Sequence, residues 1–416
     1  MSVPSANART RAKTEAAPAR LVAAESGASW FQERAQEVGS IRIPDFVLFF
    51  ALAMSGGLAG LSFQPTALVL AVLAVLGAWR RPRLNDEYIT YSIVLTWVAL
   101  AYVAVVSMVQ PQPEEAASWG GRLLRLTVTF AVLFFLSSDR LDLRSAMAGY
   151  AAAALVNIPV FYAGLSSNAY GGYLTGWFGD KNVSGMAYCL LGIMVMWLCR
   201  SRLQRGVIYA GFAVPLWLTG SRTSMAAYVA GGVWLFFAPK LPVFGRLLLG
   251  GLIFIVVQVL ATQFAQIGVF EEREGSDALR SAIDSASIRK VDESGFFGRG
   301  LGNAFVDMGV DGTWFFHNSY WTALVEGGWP WVCFVTGLTV LAMIRPLERA
   351  VERTAAIGQG CGVAALICAS QLGEVFGTVA WMLACAFAIR VQLVAGSRGT
   401  KERSERFVST LTGRGH

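Results

Sequence analysis

The sequence predicts an all-α polytopic membrane protein of about twelve transmembrane helices, with one large outer loop between the ninth and tenth. Composition is the first reason. Of 416 residues, 55% are hydrophobic and only 15% are charged, and the mean hydropathy is +0.52. A soluble domain is less apolar and carries more charge. Length is the second reason: apolar runs of roughly twenty residues recur along the chain, as a helix needs to cross a bilayer. The third reason is the arginines, which fall on one side of the bundle in loop after loop.

Residues 1–43 are rich in Ala, Arg and Glu and have no apolar core. They read as a flexible cytoplasmic tail rather than a signal peptide, with room for a short surface helix near Trp30 and Phe31. In the block 44–266, apolar segments fall at roughly 45–63, 65–79, 88–109, 121–138, 145–166, 183–199, 206–220, 223–238 and 245–266. The polar stretch 267–318 follows, and a second membrane block covers 319–394. Its apolar segments lie at roughly 319–343, 355–373 and 375–394. Residues 395–416 form a short basic tail.

A cytoplasmic N-terminus puts these basic residues in inside loops: Arg80, Arg81 and Arg83; Arg140 and Arg144; Arg200, Arg202 and Arg205; Lys240 and Arg246; Arg345, Arg349 and Arg353. The opposite loops hold Gln110-Pro-Gln-Pro-Glu-Glu115 and a Gly/Tyr-rich turn near 166–182, with little positive charge. This is the positive-inside bias, so both termini face the cytoplasm and the long polar stretch faces out. Most of the net charge of +7 is then topogenic and gives no ground for a nucleic-acid partner. The cysteines Cys189, Cys199, Cys333, Cys361, Cys368 and Cys385 lie in or beside apolar segments. That placement predicts neither an exported disulfide nor a Cys/His metal site.

Against this frame, basic residues on the outer side stand out. Arg122 and Arg125 begin the fourth helix, Lys181 and Asn182 lie in Phe178-Gly-Asp-Lys-Asn182, and Arg222 sits in the tight turn Leu218-Thr-Gly-Ser-Arg222. Cations are costly to translocate and often mark anion binding; the alternative is snorkelling to lipid phosphate. The outer loop adds Arg273, Arg280, Arg289, Lys290 and Arg299. It opens with acidic Glu271, Glu272, Glu274 and Asp277, read as a solvated helix cap before a helix around 277–291. Gly298, Gly300 and Gly302 alternate near its end. Such a path can turn backbone N–H groups toward an anion, or can simply be a turn.

His317 closes the outer loop, and the body of the chain holds no other histidine, since His416 is the last residue. A proton acceptor able to work near neutral pH thus stands where the polar loop meets the next apolar helix. A solvated interfacial histidine beside belt aromatics is the bland alternative.

Taken together, Arg280, the run Gly298-Arg-Gly300-Leu-Gly-Asn303, His317-Asn318-Ser-Tyr320 and Glu326-Gly-Gly328 have the order and spacing of a known signature. The chain resembles the O-antigen ligase and O-antigen polymerase family in these residues. The Ser221-Arg222 turn is similar to that family's outer arginine, and Phe178-Gly-Asp-Lys-Asn182 is a weaker echo of another outer motif. The resemblance spans 170–345 in motifs and nearly the whole chain in topology. Two departures stand out: Lys181 replaces a proline-like residue, and no tryptophan follows Arg280 on its helix.

The resemblance implies an inverting, metal-independent glycosyl transfer at the outer face of the bacterial inner membrane, without a cofactor. The donor is a glycan on undecaprenyl diphosphate, within membrane lipid. The acceptor is a sugar hydroxyl, on lipid A core for a ligase or on another lipid-linked repeat for a polymerase. Other polysaccharide-assembly proteins are the expected partners. Guanidinium groups that grip phosphate stabilise the growing charge on the leaving diphosphate. Arg222 and Arg280 are the candidates for this, with Arg122, Arg125, Lys181, Asn182 and Gly300 extending the site. His317 is the candidate general base and Asn318 a sugar or loop-backbone ligand. Tyr320 stacks on sugar, or with Trp314 and Trp321 belongs to the aromatic belt. Glu326 orients His317 if the helix start is irregular, and otherwise packs helices. A protein O-oligosaccharyltransferase and a lipid-linked-glycan flippase or transporter are the competing readings. Transport predicts mid-membrane charge and broken helices.

Overall fold

In the computed structural model, every apolar segment read from the sequence contains a helix. The described residues are 41–58, 65–84, 87–168, 170–263, 274–309 and 312–411. The N-terminal tail through residue 40, Glu271 to Arg273 of the acidic cluster, and His416 lie outside them. Pro44–His416 forms one unit, and the candidate site lies within it.

The helices are α1 Ile43–Met54, α2 Pro65–Trp79, α3 Glu87–Val109, α4 Trp119–Ser137, α5 Leu143–Tyr162, α6 Lys181–Met194, α7 Arg202–Leu218, α8 Arg222–Phe237, α9 Val243–Gln263, α10 Glu274–Asp292, α11 Ser319–Thr339, α12 Arg353–Ala369 and α13 Val379–Leu411. Among the described residues, five stretches, Ile89–Val109, Trp119–Ser137, Leu143–Tyr162, Lys181–Leu198 and Ser319–Ile344, are long and apolar enough to cross a membrane. Shorter apolar helices such as Ile43–Met54, Pro65–Trp79 and Arg353–Ala369 pack among them.

Local chemistry sets the helix starts. Asp142 accepts from the Ser145 amide at 2.8 Å, and Asp180 accepts from those of Asn182 and Val183 at 2.7 and 3.1 Å. Ser201 and Gln204 form a reciprocal capping box at α7. Small residues then set the packing. A Cβ on Gly231 of α8 would lie 2.9 Å from the Gly360 carbonyl of α12, so these two backbones touch. At the predicted inner end, Arg80 does more than orient the chain. Its Nη1 donates to both carboxylate oxygens of fully buried Asp45, at 2.6 and 2.9 Å, and the Asp142 amide donates to Asp45 at 2.8 Å. This joins α1, α2 and the start of α5 through one satisfied carboxylate.

The structure differs from the sequence expectation in three places. The fold is not purely α: β1 Phe305–Asp307 pairs antiparallel with β2 Thr313–Phe315, aligning Val306 with Trp314. The hairpin caps a small core of Ile283, Val306, Phe316 and Val325, so the aromatics before His317 build a fold element of the outer loop. The presumed C-terminal tail continues α13 as helix to Leu411, because its Arg, Lys, Glu and Ser residues do not break a helix already begun. The third difference is a break in α11 at Gly327 and Gly328. Gly328 has φ +63°, in the left-handed region open to glycine, and Pro330 two residues on has no N–H to give.

Candidate functional site

The residues singled out above fall into three groups at the predicted outer ends of the helices. The first surrounds His317. Its Nδ1 faces Asp284 Oδ1 of α10 at 3.6 Å, an ion-pair separation too long for a hydrogen bond. Both atoms are buried and have no hydrogen-bond partner among the described residues, while the two side chains stay about one third exposed. Arg280, one turn earlier on α10, donates from Nη2 to the Gln371 backbone oxygen at 3.1 Å. Asn318 is committed locally: its Oδ1 caps α11 by accepting from the Tyr320 and Trp321 amides at 2.9 and 3.2 Å, and its Nδ2 donates to the Ser370 carbonyl at 3.1 Å. Tyr320 points inward, donating to the Leu366 carbonyl at 3.0 Å and meeting the Phe376 ring edge-on at 5.7 Å.

The second group is an ion-pair cluster. Arg122 Nε lies 2.7 Å from Glu326 Oε1, and Arg122 Nη1 lies 3.2 Å from Glu374 Oε1. Arg125 pairs with that same Glu374 oxygen. Glu326 is 2% exposed, and its Oε1 also accepts the Gly302 amide at 2.9 Å. Two guanidiniums are therefore matched by two carboxylates. The anion that the glycine run addresses is part of the protein: Glu326 rather than a phosphate. The Gly300 amide is spent as well, donating to the Glu326 backbone oxygen at 3.0 Å. Glu326 turns toward Arg122, so the carboxylate facing His317 is Asp284. Burial pushes the Glu374 carboxyl up, but Arg122 and Arg125 outweigh it and hold it below the usual carboxylate range.

The third group gathers around the α6 and α8 starts. Lys181 Nζ sits over the rings of Tyr170 and Tyr173 at 5.4 and 5.8 Å, a cation–π arrangement. Asn182 Oδ1 accepts from Ser221 Oγ at 3.3 Å. Arg222 is the first residue of α8, half-buried beside that contact.

The turn 370–378 between α12 and α13 joins the first two groups. Arg280 binds it at Gln371, and Arg122 and Arg125 bind it at Glu374. Thr322 Oγ1 donates to the Gly373 carbonyl at 2.9 Å, and the Val375 amide donates to Ser319 Oγ at 3.0 Å. Gly373 is required, since a Cβ there would lie 1.9 Å from the Phe316 carbonyl. A narrow crevice opens beside the turn, with about 20 Å³ of open space, room for about one water. Arg122, Glu326 and Glu374 make its polar end, and Phe130, Trp331 and Phe376 its aromatic wall.

Sequence reasoning missed Asp284, Gln371 and Glu374. One signal for Glu374 was present: it is the single residue between two predicted apolar segments, an acid placed in a tight outer turn. No protein-family model matches the chain, and no curated protein matches it. The family resemblance rests on the residues themselves.

Proposed function

We propose that the protein transfers a glycan from a polyprenyl diphosphate to a sugar hydroxyl at the outer face of the bacterial inner membrane, as an O-antigen ligase or a polysaccharide polymerase. The reading includes about twelve spans with both termini cytoplasmic. One observation carries it: a histidine whose Nδ1 faces a carboxylate shares a single short turn with Arg280, next to a crevice that is polar at one end and aromatic along its wall. In this reading His317 takes the proton from the acceptor hydroxyl as it attacks, and Asp284 steadies the imidazolium that forms. Arg280 and Arg222 stabilise the charge that gathers on the leaving diphosphate. The crevice lining has the chemistry of a site for a charged head on an apolar chain, but its open space of about 20 Å³ admits such a molecule only if the crevice widens.

The test compares polyprenyl-linked glycans in cells carrying wild type or His317→Ala, with the variant shown to be present in the membrane. Accumulation of long chains on the carrier identifies a ligase, and accumulation of single repeats a polymerase. An unchanged size distribution overturns the proposal.

A second reading has an observation in its favour. The break in α11 beside buried Glu326 is the kind of discontinuity found in transporters. Purified protein in liposomes that moves a fluorescent polyprenyl-diphosphate sugar between leaflets, with no new glycosidic bond formed, would support it.

A further inference from the structure

The backbone of 294–302 runs alongside two candidate spans rather than over the surface. From its outer end inward, Gly302 packs beneath the Ala117 carbonyl, Gly300 against Ser107, and Phe297 near Tyr102. Tyr102 lies seven residues before the end of α3 at Val109, which is about 10 Å below that end at 1.5 Å per residue. The segment's other neighbour agrees. Gly328 lies nine residues into α11 from Ser319, or roughly 13 Å along the axis. At 23 residues, α3 is about 34 Å long, enough to cross the hydrocarbon once. Phe296 and Phe297 therefore sit well below the outer ends of both helices.

Irregular backbone is tolerated at that depth when protein satisfies its polar groups. Here the protein supplies partners to much of the segment, and the exchange is mutual. The break in α11 leaves carbonyls and an amide without helical partners, and the loop supplies them. The Arg299 amide donates to the Val325 carbonyl at 2.6 Å and the Gly300 amide to the Glu326 carbonyl at 3.0 Å. The Trp329 amide donates to the Phe296 carbonyl at 3.0 Å. The Tyr102 hydroxyl lies 3.0 Å from the Gly327 carbonyl and 3.2 Å from the Phe297 carbonyl. Ser107 Oγ accepts the Leu301 amide at 2.8 Å. The side chains of Phe296 and Phe297 remain 58% and 60% exposed, edge-to-face at 5.1 Å. Two large aromatics so exposed would be unfavourable in water. They match the exposed apolar surface of α3, where Val98 and Val105 are 60% and 58% exposed. Arg299 reaches back to Glu293, whose carboxylate it meets at 3.2 Å, as a cation leaving the hydrocarbon would.

We infer that 294–302 is a re-entrant segment in the outer leaflet, and that Phe296 and Phe297 form a lipid-contacting surface against acyl chains. This rests on α3 and α11 crossing the bilayer and not on glycan transfer, so either reading can fail alone.

The full chain in lipid nanodiscs, carrying Phe297→Cys or Glu293→Cys, would be treated with a charged, membrane-impermeant maleimide and read site by site by peptide mass spectrometry. Native Cys333, exposed and fourteen residues into α11, marks bilayer depth in the same sample. The expected result is ready labelling at 293, and labelling at 297 and 333 slower by more than an order of magnitude. A bimane dye at 297 should also be quenched by lipids carrying a nitroxide on the acyl chain. Labelling at 297 as fast as at 293 overturns the inference. Equally fast labelling at Cys333 overturns it too, by removing α11 from the bilayer. If Phe297→Cys fails to insert, Phe296→Cys gives the same readings.

Discussion

His317 Nδ1 and Asp284 Oδ1 face each other at 3.6 Å, and neither buried atom has a hydrogen bond among the described residues. A pair held this close but unjoined can tighten when a proton arrives on the imidazole. His317→Ala should lower transfer by roughly a hundredfold or more. Asp284→Asn should lower kcat by less and leave KM for the donor unchanged, with partial recovery in Asp284→Glu. Steady-state assay on a purified lipid-linked donor checks this, and an Asp284→Asn variant with full kcat would remove the pairing from the mechanism.

Glu326 balances Arg122 inside the bundle. Glu326→Ala leaves that guanidinium facing Glu374 alone, and loss of one partner from a buried pair costs about 3 kcal/mol or more. Thermal unfolding in detergent should show a large drop in midpoint. The double variant Arg122→Ala/Glu326→Ala should lose clearly less than the two single variants added together.

Glu374 pairs with both Arg122 and Arg125. Glu374→Gln removes one of two negative charges from a cluster with two positive ones. Calorimetric titration with a water-soluble diphosphate should then show tighter binding, and rising salt should weaken it. Unchanged affinity would mean that these arginines serve packing alone.

Gly328 and Gly309 have nearly the same φ, +63° and +64°, but different surroundings. A Cβ on Gly328 would lie 1.9 Å from the Phe296 carbonyl, while one on Gly309 meets nothing within 4 Å. Gly309→Ala should cost about 1 kcal/mol, from backbone strain alone. Gly328→Ala should cost about 3 kcal/mol or more, because the loop must also move. Comparing folded yield and thermal midpoint of the two variants separates strain from contact.

Lys290 donates to the Phe305 carbonyl at 2.7 Å and lies 3.8 Å over the Phe305 ring. Burial, followed by the nearby Arg299, lowers its pKa to about 8, with Glu293 opposing them. The unfolded chain holds this proton to higher pH than the fold does, so local stability rises as pH climbs from about 8 toward the ordinary lysine value. Acetylation by an amine-reactive ester, followed at the 290 peptide, should show a midpoint near 8. A midpoint at the ordinary lysine value would contradict the buried setting.

Much of this architecture was legible in the chain, because it is local. The apolar run 65–79 is the helix Pro65–Trp79 to the residue, and the polar helix expected at 277–291 is Glu274–Asp292. His317-Asn318 read as a helix start, and Asn318 is its cap. The Gly-Gly-Trp-Pro run held the break in α11, but an apolar window passes over it because hydropathy averages away a single backbone turn.

Run length and cap chemistry thus determined where the helices lie, and the alternation of arginine between loops set the expectation for which end of the bundle faces out. Each of these signals acts within a few turns of chain or across one loop. The partners of the charged groups were decided only by the tertiary structure. Arg122 meets Glu374 from 252 positions away, Gly302 turns its amide to Glu326, and Asp284, which no motif marked, faces His317. A buried charge must find a counter-charge or a hydrogen bond, but nothing in its neighbouring sequence says which helix will bring it. Packing small residues against backbone, as Gly231 does on Gly360 and Gly328 on Phe296, makes that choice.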